Sequence, residues 1–71
     1  PNLYYKIYRK IDGLVVLDYD LHTRCGSDDE GNYIDLDMSI FEPDYLYCIQ
    51  LALKDENNIQ ELSETFKFRV E

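Results

Sequence analysis

The sequence predicts an antiparallel all-β domain of about five strands. Apolar and polar residues alternate with a period of two in several runs, which is the spacing of a strand with one buried face. Stretches rich in aspartate, asparagine and glycine separate these runs and favour tight turns. No run shows the spacing of an amphipathic helix, so we expect a single β-domain over residues 1–71.

The composition is that of a folded acidic domain. Hydrophobic residues make up 45% and aromatic residues 14% of the chain, which is enough to build a core. Seven basic against fifteen acidic side chains give a net charge of −8, which disfavours nucleic acid and anionic membranes as partners. The longest wholly apolar run, residues 14–17, is far shorter than a membrane span. Because the chain opens with Pro1 rather than methionine, we expect it to be processed, excised or the ordered part of a longer polypeptide. In a longer polypeptide, we expect it to be the C-terminal part.

The first predicted element is a hairpin. Residues 3–11 and 14–21 each alternate, and Asp12-Gly13 between them is a strong hairpin signal. The second face of the first strand presents Tyr4 and Tyr8, which we expect to be exposed and available for a protein contact. The alternative, given equal weight, is that these tyrosines only cover a sheet face.

The register of this hairpin follows from its face pattern. A two-residue turn would mix apolar and acidic side chains on each face, whereas a three-residue loop over residues 11–13 keeps one face apolar. That loop requires Gly13 in the left-handed conformation and places Lys6 across from Asp18. The predicted pairs on the apolar face are Leu3–Leu21, Tyr5–Tyr19, Ile7–Leu17 and Arg9–Val15.

The middle of the chain is predicted to be a loop followed by a strand. Residues 22–32 are polar and rich in glycine, serine and aspartate, and residues 33–41 alternate. The acidic run over residues 28–30 offers oxygen ligands to calcium but lacks the spacing of a calcium-binding loop, so a solvated turn is the favoured interpretation. The side chains expected to face inward from the strand are Ile34, Leu36, Met38 and Ile40.

A corner and a central strand come next. Pro43 marks the corner, and residues 45–53 place apolar side chains on both faces, which is typical of a strand inside a sheet. Residues 54–58 favour a turn by composition. Residues 59–64 fit either a helical turn or the start of a strand, and residues 65–70 alternate as the last strand.

The sequence contains no recognisable catalytic or metal-binding constellation. His22, Cys25 and Cys48 lack the number and spacing of zinc ligands. The serines lie in no nucleophile motif, and the chain is too short to build a cleft around paired carboxylates. We therefore expect no enzymatic activity and no cofactor, and free thiols are favoured over a disulfide.

The corner resembles a pattern found in immunoglobulin-like sandwiches. The run Phe41-x-Pro43-x-x-x-Tyr47-x-Ile49-x-Leu51 is similar to the start of the sixth strand in fibronectin type III domains. The resemblance implies a sandwich in which the Tyr47 hydroxyl bonds back to the backbone just upstream, with Tyr45 as the runner-up. It also implies that the first two strands of the sandwich come from upstream in a longer chain or from a neighbouring molecule, unless the fold is a smaller sandwich.

A second resemblance concerns Gly31-Asn32-Tyr33-Ile34-Asp35-Leu36, ahead of the corner. This run is similar to one in small C-terminal immunoglobulin-like modules of virion structural proteins from tailed bacteriophages. It implies a non-enzymatic structural role in a capsid or tail, with other structural subunits as partners and the virion as the location. The alternative is an extracellular adhesion or carbohydrate-binding module, in which a Cys25–Cys48 disulfide is expected.

Overall fold

The computed structural model describes residues 2–70, and the side chains of all of these except Leu21 and Glu64. The protein is all-β, as the sequence predicts, with antiparallel strand pairing and no α-helix among the described residues. Short 3₁₀ helices lie at Leu21–Thr23 and Met38–Ile40. The strands are β1 (Asn2–Arg9), β2 (Val15–Leu17), β3 (Gly26–Asp28), β4 (Gly31–Tyr33), β5 (Leu46–Lys54) and β6 (Ile59–Arg69).

Four strands form one sheet in the order β2-β1-β5-β6, and β3 and β4 form a separate two-stranded ribbon. β5 lies inside the sheet, as the apolar residues on both of its faces predict. Its register with β1 is unbroken from Asn2 opposite Lys54 to Arg9 opposite Tyr47. One face of these two strands, which we call the apolar face, carries Leu3, Tyr5, Ile7, Tyr47, Ile49, Leu51 and Leu53.

The β1–β2 hairpin has a longer loop than the sequence predicts. The pair Ile7–Leu17 is as predicted, but the next pair is Tyr8–Val15 instead of Arg9–Val15. The loop therefore spans residues 10–13, and the register shift leaves an extra residue in β2 as a bulge. The predicted three-residue loop is wrong, although the apolar pair nearest the core is retained.

The Asp12 side chain explains the longer loop. Its carboxylate Oδ1 accepts hydrogen bonds from the Arg9 Nε and from the Leu14 N–H, both at 3.1 Å. The Arg9 N–H donates to the Leu14 carbonyl at 2.8 Å, which closes the loop at Arg9 instead of Lys10. Gly13 has a φ of 74°, the left-handed conformation that the sequence requires of it.

β2 ends at Leu17, so the predicted strand over residues 14–21 is wrong in its second half. Asp20 begins a 3₁₀ helix there because its carboxylate accepts the His22 N–H at 2.7 Å. The Thr23 hydroxyl in turn accepts the Asp20 N–H at 2.9 Å, which completes a capping box. This local hydrogen bonding competes with strand extension and turns the chain back.

The segment after this turn lies along the edge of β1. The Cys25 N–H donates to the Leu3 carbonyl at 2.9 Å, and Arg24 pairs with Tyr4 as an isolated bridge. These contacts replace the predicted pairs Leu3–Leu21 and Tyr5–Tyr19. The edge of β1 is thus shared between β2 at one end and a returning loop at the other.

The predicted loop over residues 22–32 contains the β3–β4 ribbon, and the predicted strand over residues 33–41 does not form. Asp37 begins a 3₁₀ helix in that segment because its carboxylate accepts the Ser39 N–H at 3.0 Å. The Ser39 hydroxyl also bonds this carboxylate, at 2.7 Å. Asp37 therefore ends the extended segment.

The four side chains predicted to face inward from this segment divide into two pairs. Ile34 and Leu36 pack against the core, as predicted. Met38 and Ile40 are 51% and 41% exposed, so their predicted inward position is wrong. The 3₁₀ helix breaks the period of two on which that prediction depends.

The core lies on the apolar face, where Phe41 and Val70 pack against Tyr5, Ile7 and Tyr47. Phe41 comes from the segment between the second 3₁₀ helix and β5, and Val70 directly follows β6. The core therefore includes residues from outside the strands as well as from the sheet.

Residues 59–64, for which the sequence allows a helical turn or a strand, form the first half of β6. The ladder with β5 shifts between Gln50 and Ala52, where β6 carries extra residues as a bulge. The Gln50 side-chain amide donates to the carbonyls of Leu51 and Leu62. A polar side chain inside the sheet thus supports the irregular ladder.

Candidate functional site

Tyr47 occupies the corner position that the sequence assigns to it. It is 2% exposed, and its hydroxyl accepts the Glu42 N–H at 2.9 Å, one residue before Pro43. Tyr45, the runner-up, is 36% exposed, and the Arg9 guanidinium lies 4.6 Å from the centre of its ring. Tyr47 therefore makes the corner hydrogen bond, whereas Tyr45 faces outward under a cation.

Tyr4 and Tyr8 do not form the exposed contact face that the sequence predicts. Tyr4 is only 6% exposed, with the Lys54 ammonium 4.9 Å from the centre of its ring. Its expected exposure is wrong because the chain after β2 returns to this end of β1, where Arg24 pairs with Tyr4. Tyr8 is half-buried and lines a hollow of about 350 Å³ beside Lys6.

The hollow beside Tyr8 contains a closed polar network. Lys6 Nζ lies 3.3 Å from the Glu61 carboxylate instead of pairing with Asp18 as predicted, and the Tyr19 hydroxyl donates to Glu61 at 2.9 Å. The pKa of Glu61 is lowered by both bonds, and the hydrogen bond from Tyr19 has the larger effect. The pKa of Tyr19 is raised by burial and by its hydrogen bond to the Glu61 carboxylate. The groups satisfy one another, so the network ties β1 to β6. The sequence does not reveal it because Glu61 lies in the segment of undecided structure.

The hairpin tip is the first of two exposed apolar surfaces that could bind a partner. We define it as Ile11, Leu14 and Val15. These side chains are 80%, 54% and 45% exposed. The loop over residues 10–13, which carries Ile11 and leads into Leu14, is held by the bonds between Arg9 and Asp12. Arg9 also contacts the Glu42 carboxylate at 2.9 Å. The hydrogen bond from Arg9 lowers the pKa of Asp12 to about 2. The hairpin tip is therefore apolar, exposed and held in place.

The apolar cleft is the second such surface, with a volume of about 320 Å³. Phe66 and Tyr33 are 52% and 46% exposed within it. No charged side chain lines the cleft among those that the structure describes. Cys25 also reaches it, and burial raises the pKa of this thiol. Asn32 also lines the cleft, and the residues that form its apolar surface are Leu3, Tyr33, Ile34, Ile49, Leu51 and Phe66.

The β3–β4 ribbon forms one wall of the apolar cleft. Tyr33 pairs with Gly26, and a Cβ at Gly26 would lie 2.5 Å from the Tyr33 ring carbon Cζ, so glycine allows the ring to lie there. At the turn of the ribbon, the Asp28 carboxylate accepts the Glu30 N–H at 2.8 Å. The sequence signals this wall only through Gly26 and Gly31, which flank the acidic run. Glycines at both ends of that run could have indicated a short hairpin.

The described residues show no inorganic site. Within residues 2–70, no group of three or more histidine, cysteine, aspartate or glutamate side chains could hold a metal ion. Cys25 and Cys48 are free thiols. No helix in the described part of the chain is long and apolar enough to cross a membrane.

Comparisons with protein-family models, with curated proteins and with solved structures find no match for this chain. Three features therefore remain from which to argue a function: the apolar cleft, the hairpin tip and the polar network. Only the first two present apolar surface to solvent.

Proposed function

We propose that this chain is a non-enzymatic structural or interaction module within a larger assembly. The observation that carries the proposal is the apolar cleft, where Phe66 remains 52% exposed although it lies on a face that elsewhere forms the core. An apolar cleft that is open to solvent is a candidate contact site. A partner that covers the cleft removes this surface from water, which favours association.

The narrower fold that we propose is an immunoglobulin-like sandwich of the fibronectin type III kind. The order β2-β1-β5-β6 corresponds to the C′-C-F-G order of such domains, with Tyr47 near the start of the F strand. In a sandwich this face packs against a second sheet about 10 Å away. The apolar cleft lies on the face that the second sheet would cover, and its strands would come from upstream in a longer chain or from a neighbouring molecule.

The assembly that we propose is the virion of a tailed bacteriophage, with other structural subunits as partners. The support is the resemblance of residues 31–36 to virion modules of immunoglobulin-like fold. In the structure residues 31–33 form β4, and Tyr33 and Ile34 line the apolar cleft. The residues that carry the resemblance are therefore among those that form the candidate contact surface.

The alternative, an extracellular adhesion or carbohydrate-binding module, has less support. The disulfide expected for it is not formed, since Cys25 and Cys48 are both free. The polar groups best suited to bind a sugar, those of Lys6, Tyr19 and Glu61, already bond one another. We therefore favour a contact with protein.

Sedimentation of material from the native source tests the proposed function. An antibody to the exposed turn at residues 55–58 follows the chain through a density gradient, with the purified chain as the marker for the monomer. We expect the chain to sediment with a large assembly under native conditions and to leave it after denaturation. Native material that sediments only as a monomer would contradict the proposal.

A further inference from the structure

The hairpin tip and the apolar cleft are complementary surfaces of one molecule. Resting on the proposed role in an assembly, we infer that they bind each other between copies, so that the hairpin tip of one chain inserts into the apolar cleft of the next, in the place that a second sheet would otherwise take. Arg9, at the base of the tip, and Leu3, in the cleft, lie at opposite ends of β1, about 20 Å apart at the usual strand rise of about 3.3 Å per residue. The tip therefore cannot fill the cleft of its own chain.

The two surfaces match in chemistry. Ile11 is the most exposed large hydrophobic side chain of the described residues, at 80%, and it leads a tip whose other members are also aliphatic. The apolar cleft, at about 320 Å³, lies at the lower end of the range for small ligand pockets. A cleft of this volume has room for the aliphatic side chains of the tip. Insertion would remove both apolar surfaces from water together.

The hairpin tip is organised in advance for such a contact. Asp12 bonds both the Arg9 side chain and the Leu14 N–H, and Gly13 supplies the left-handed turn. A loop already fixed in its bound conformation loses little entropy on binding. The turn itself depends on Asp12 and Gly13, so it does not explain an isoleucine at position 11.

Charge favours this mode of contact between chains that otherwise repel. Each copy has a net charge of −8, which opposes most ways of bringing two copies together. The tip loop, however, carries Lys10 beside Ile11, and the acidic ribbon turn at residues 28–30 lies close to the cleft residue Tyr33. Arg9 is paired with Asp12 and Glu42 within the chain, so Lys10 is the cation of the loop that can meet the acidic turn, and such a pair favours this orientation.

The contact is heterologous, because the surface on one copy differs from the surface on its partner. Each copy retains an unused hairpin tip or apolar cleft after one contact, so the contact repeats into a ring or a filament. A tip of three aliphatic side chains buries less surface than a standard protein interface, so a single contact is weak. We therefore expect association at high protein concentration, as suits subunits that are also held by a larger assembly.

Sedimentation velocity on the purified chain over a wide concentration range tests the inference. We expect a weight-average mass that rises above the 8.5 kDa of one chain as concentration increases. Ile11→Asp, which makes the tip polar, and Phe66→Lys, which places a cation in the cleft near Lys10 of the incoming tip, should each remain monomeric. An equimolar mixture of these two variants has one intact tip and one intact cleft, so it should form a one-to-one dimer and nothing larger.

Ile59→Asp is the matched control, because Ile59 is 46% exposed and belongs to neither surface. This variant should associate as the unmodified chain does, and circular dichroism should show that all three variants keep the β fold. A chain that stays monomeric at every concentration, tip and cleft variants that still associate, or a mixture that fails to dimerise would each overturn the inference.

The two proposals fail in different ways. A purified chain that stays monomeric, although the native material sediments with a large assembly, overturns the tip-and-cleft contact and retains the proposed function; the cleft is then covered by another subunit or by an upstream strand. A purified chain that associates, although the native material is monomeric, overturns the proposed function.

Discussion

Phe68 and Phe66 lie two residues apart on the same face of β6, yet their surroundings are opposite. The Phe68 ring lies 5.3 Å from the ring of Phe41 and 5.8 Å from that of Tyr47, whereas Phe66 is 52% exposed at the apolar cleft. The strand pattern is the same at both places, so alternation alone does not decide which is core. The difference lies in the covering segment, because the corner folds back over Phe68 and only the ribbon reaches towards Phe66.

The largest expected effect is the loss of the corner ring. Phe41 is 7% exposed and meets the Tyr47 ring edge-on at 4.9 Å, so Phe41→Ala should cost about 3–5 kcal/mol of unfolding free energy. That is a large part of the stability of a small domain. Urea denaturation followed by circular dichroism measures the change.

Phe66→Ala is the control for that prediction, since the same substitution is made at the open end of the same face. Because Phe66 is 52% exposed, we expect a cost below about 1 kcal/mol. Equal costs at Phe41 and Phe66 would show that the two ends do not differ as the structure describes.

A smaller effect is expected when the hydrogen bond of Tyr47 is removed and its aromatic packing is kept. Tyr47→Phe keeps the ring but leaves the Glu42 N–H without the partner it has at 2.9 Å, which should cost about 1 kcal/mol or slightly more. Tyr33→Phe, at a ring that is 46% exposed in the apolar cleft, should be nearly neutral. An unchanged melting temperature for Tyr47→Phe would show that this hydrogen bond does not stabilise the corner.

The hairpin tip is exposed to solvent, as the apolar cleft is. A substitution at Gly13 tests whether the tip depends on a left-handed residue. Gly13 has a φ of 74°, and a Cβ added there would meet no atom within 4 Å, so Gly13→Ala should cost about 1 kcal/mol through backbone strain alone. Gly13→Asn should cost less, because asparagine tolerates the left-handed conformation. Thermal denaturation of both variants measures the order, and a neutral alanine would count against a left-handed Gly13.

The smallest effect concerns the charge that holds the tip. The hydrogen bond from Arg9 lowers the pKa of Asp12 from 3.8 to about 2. Since the pKa is lower in the folded chain, the stabilisation from this pair is present above about pH 4 and is lost as the pH falls towards 2. Titration of the Asp12 carboxyl carbon by NMR should show the low value, and Arg9→Gln should return the pKa towards 3.8. An unchanged pKa in that variant would contradict the role of Arg9.

The sequence predicts the strands of the sheet better than the segments between them. Period-two alternation correctly indicates β1 and β5, and the motif around Tyr47 predicts the residue that makes the corner bond. Both signals depend on residues close together in the chain. The position of β5 inside the sheet follows from the same pattern, because a strand with two apolar faces needs cover on both sides.

Three of the errors share one physical cause. Asp12, Asp20 and Asp37 each accept a nearby backbone N–H, and each lengthens a loop or ends an extended run that the apolar pattern would continue. The apolar cleft is not predicted because it joins the ribbon to the sheet, and the polar composition of residues 22–32 favours a loop where the ribbon lies. The prediction for Tyr4 is wrong for a related reason, since its burial depends on where the loop after Asp20 returns.

The two thiols offer the most direct test of the claim that the apolar cleft is covered in the assembly. Cys25 reaches the cleft, whereas Cys48 is 3% exposed inside the sheet and serves as an internal control. Alkylation at mildly alkaline pH, where the thiol with the raised pKa still reacts, is followed by mass spectrometry on the free chain and on the native assembly. We predict that Cys25 reacts in the free chain and is protected in the assembly, while Cys48 reacts slowly in both. A Cys25 that reacts equally fast in the two states would contradict the account.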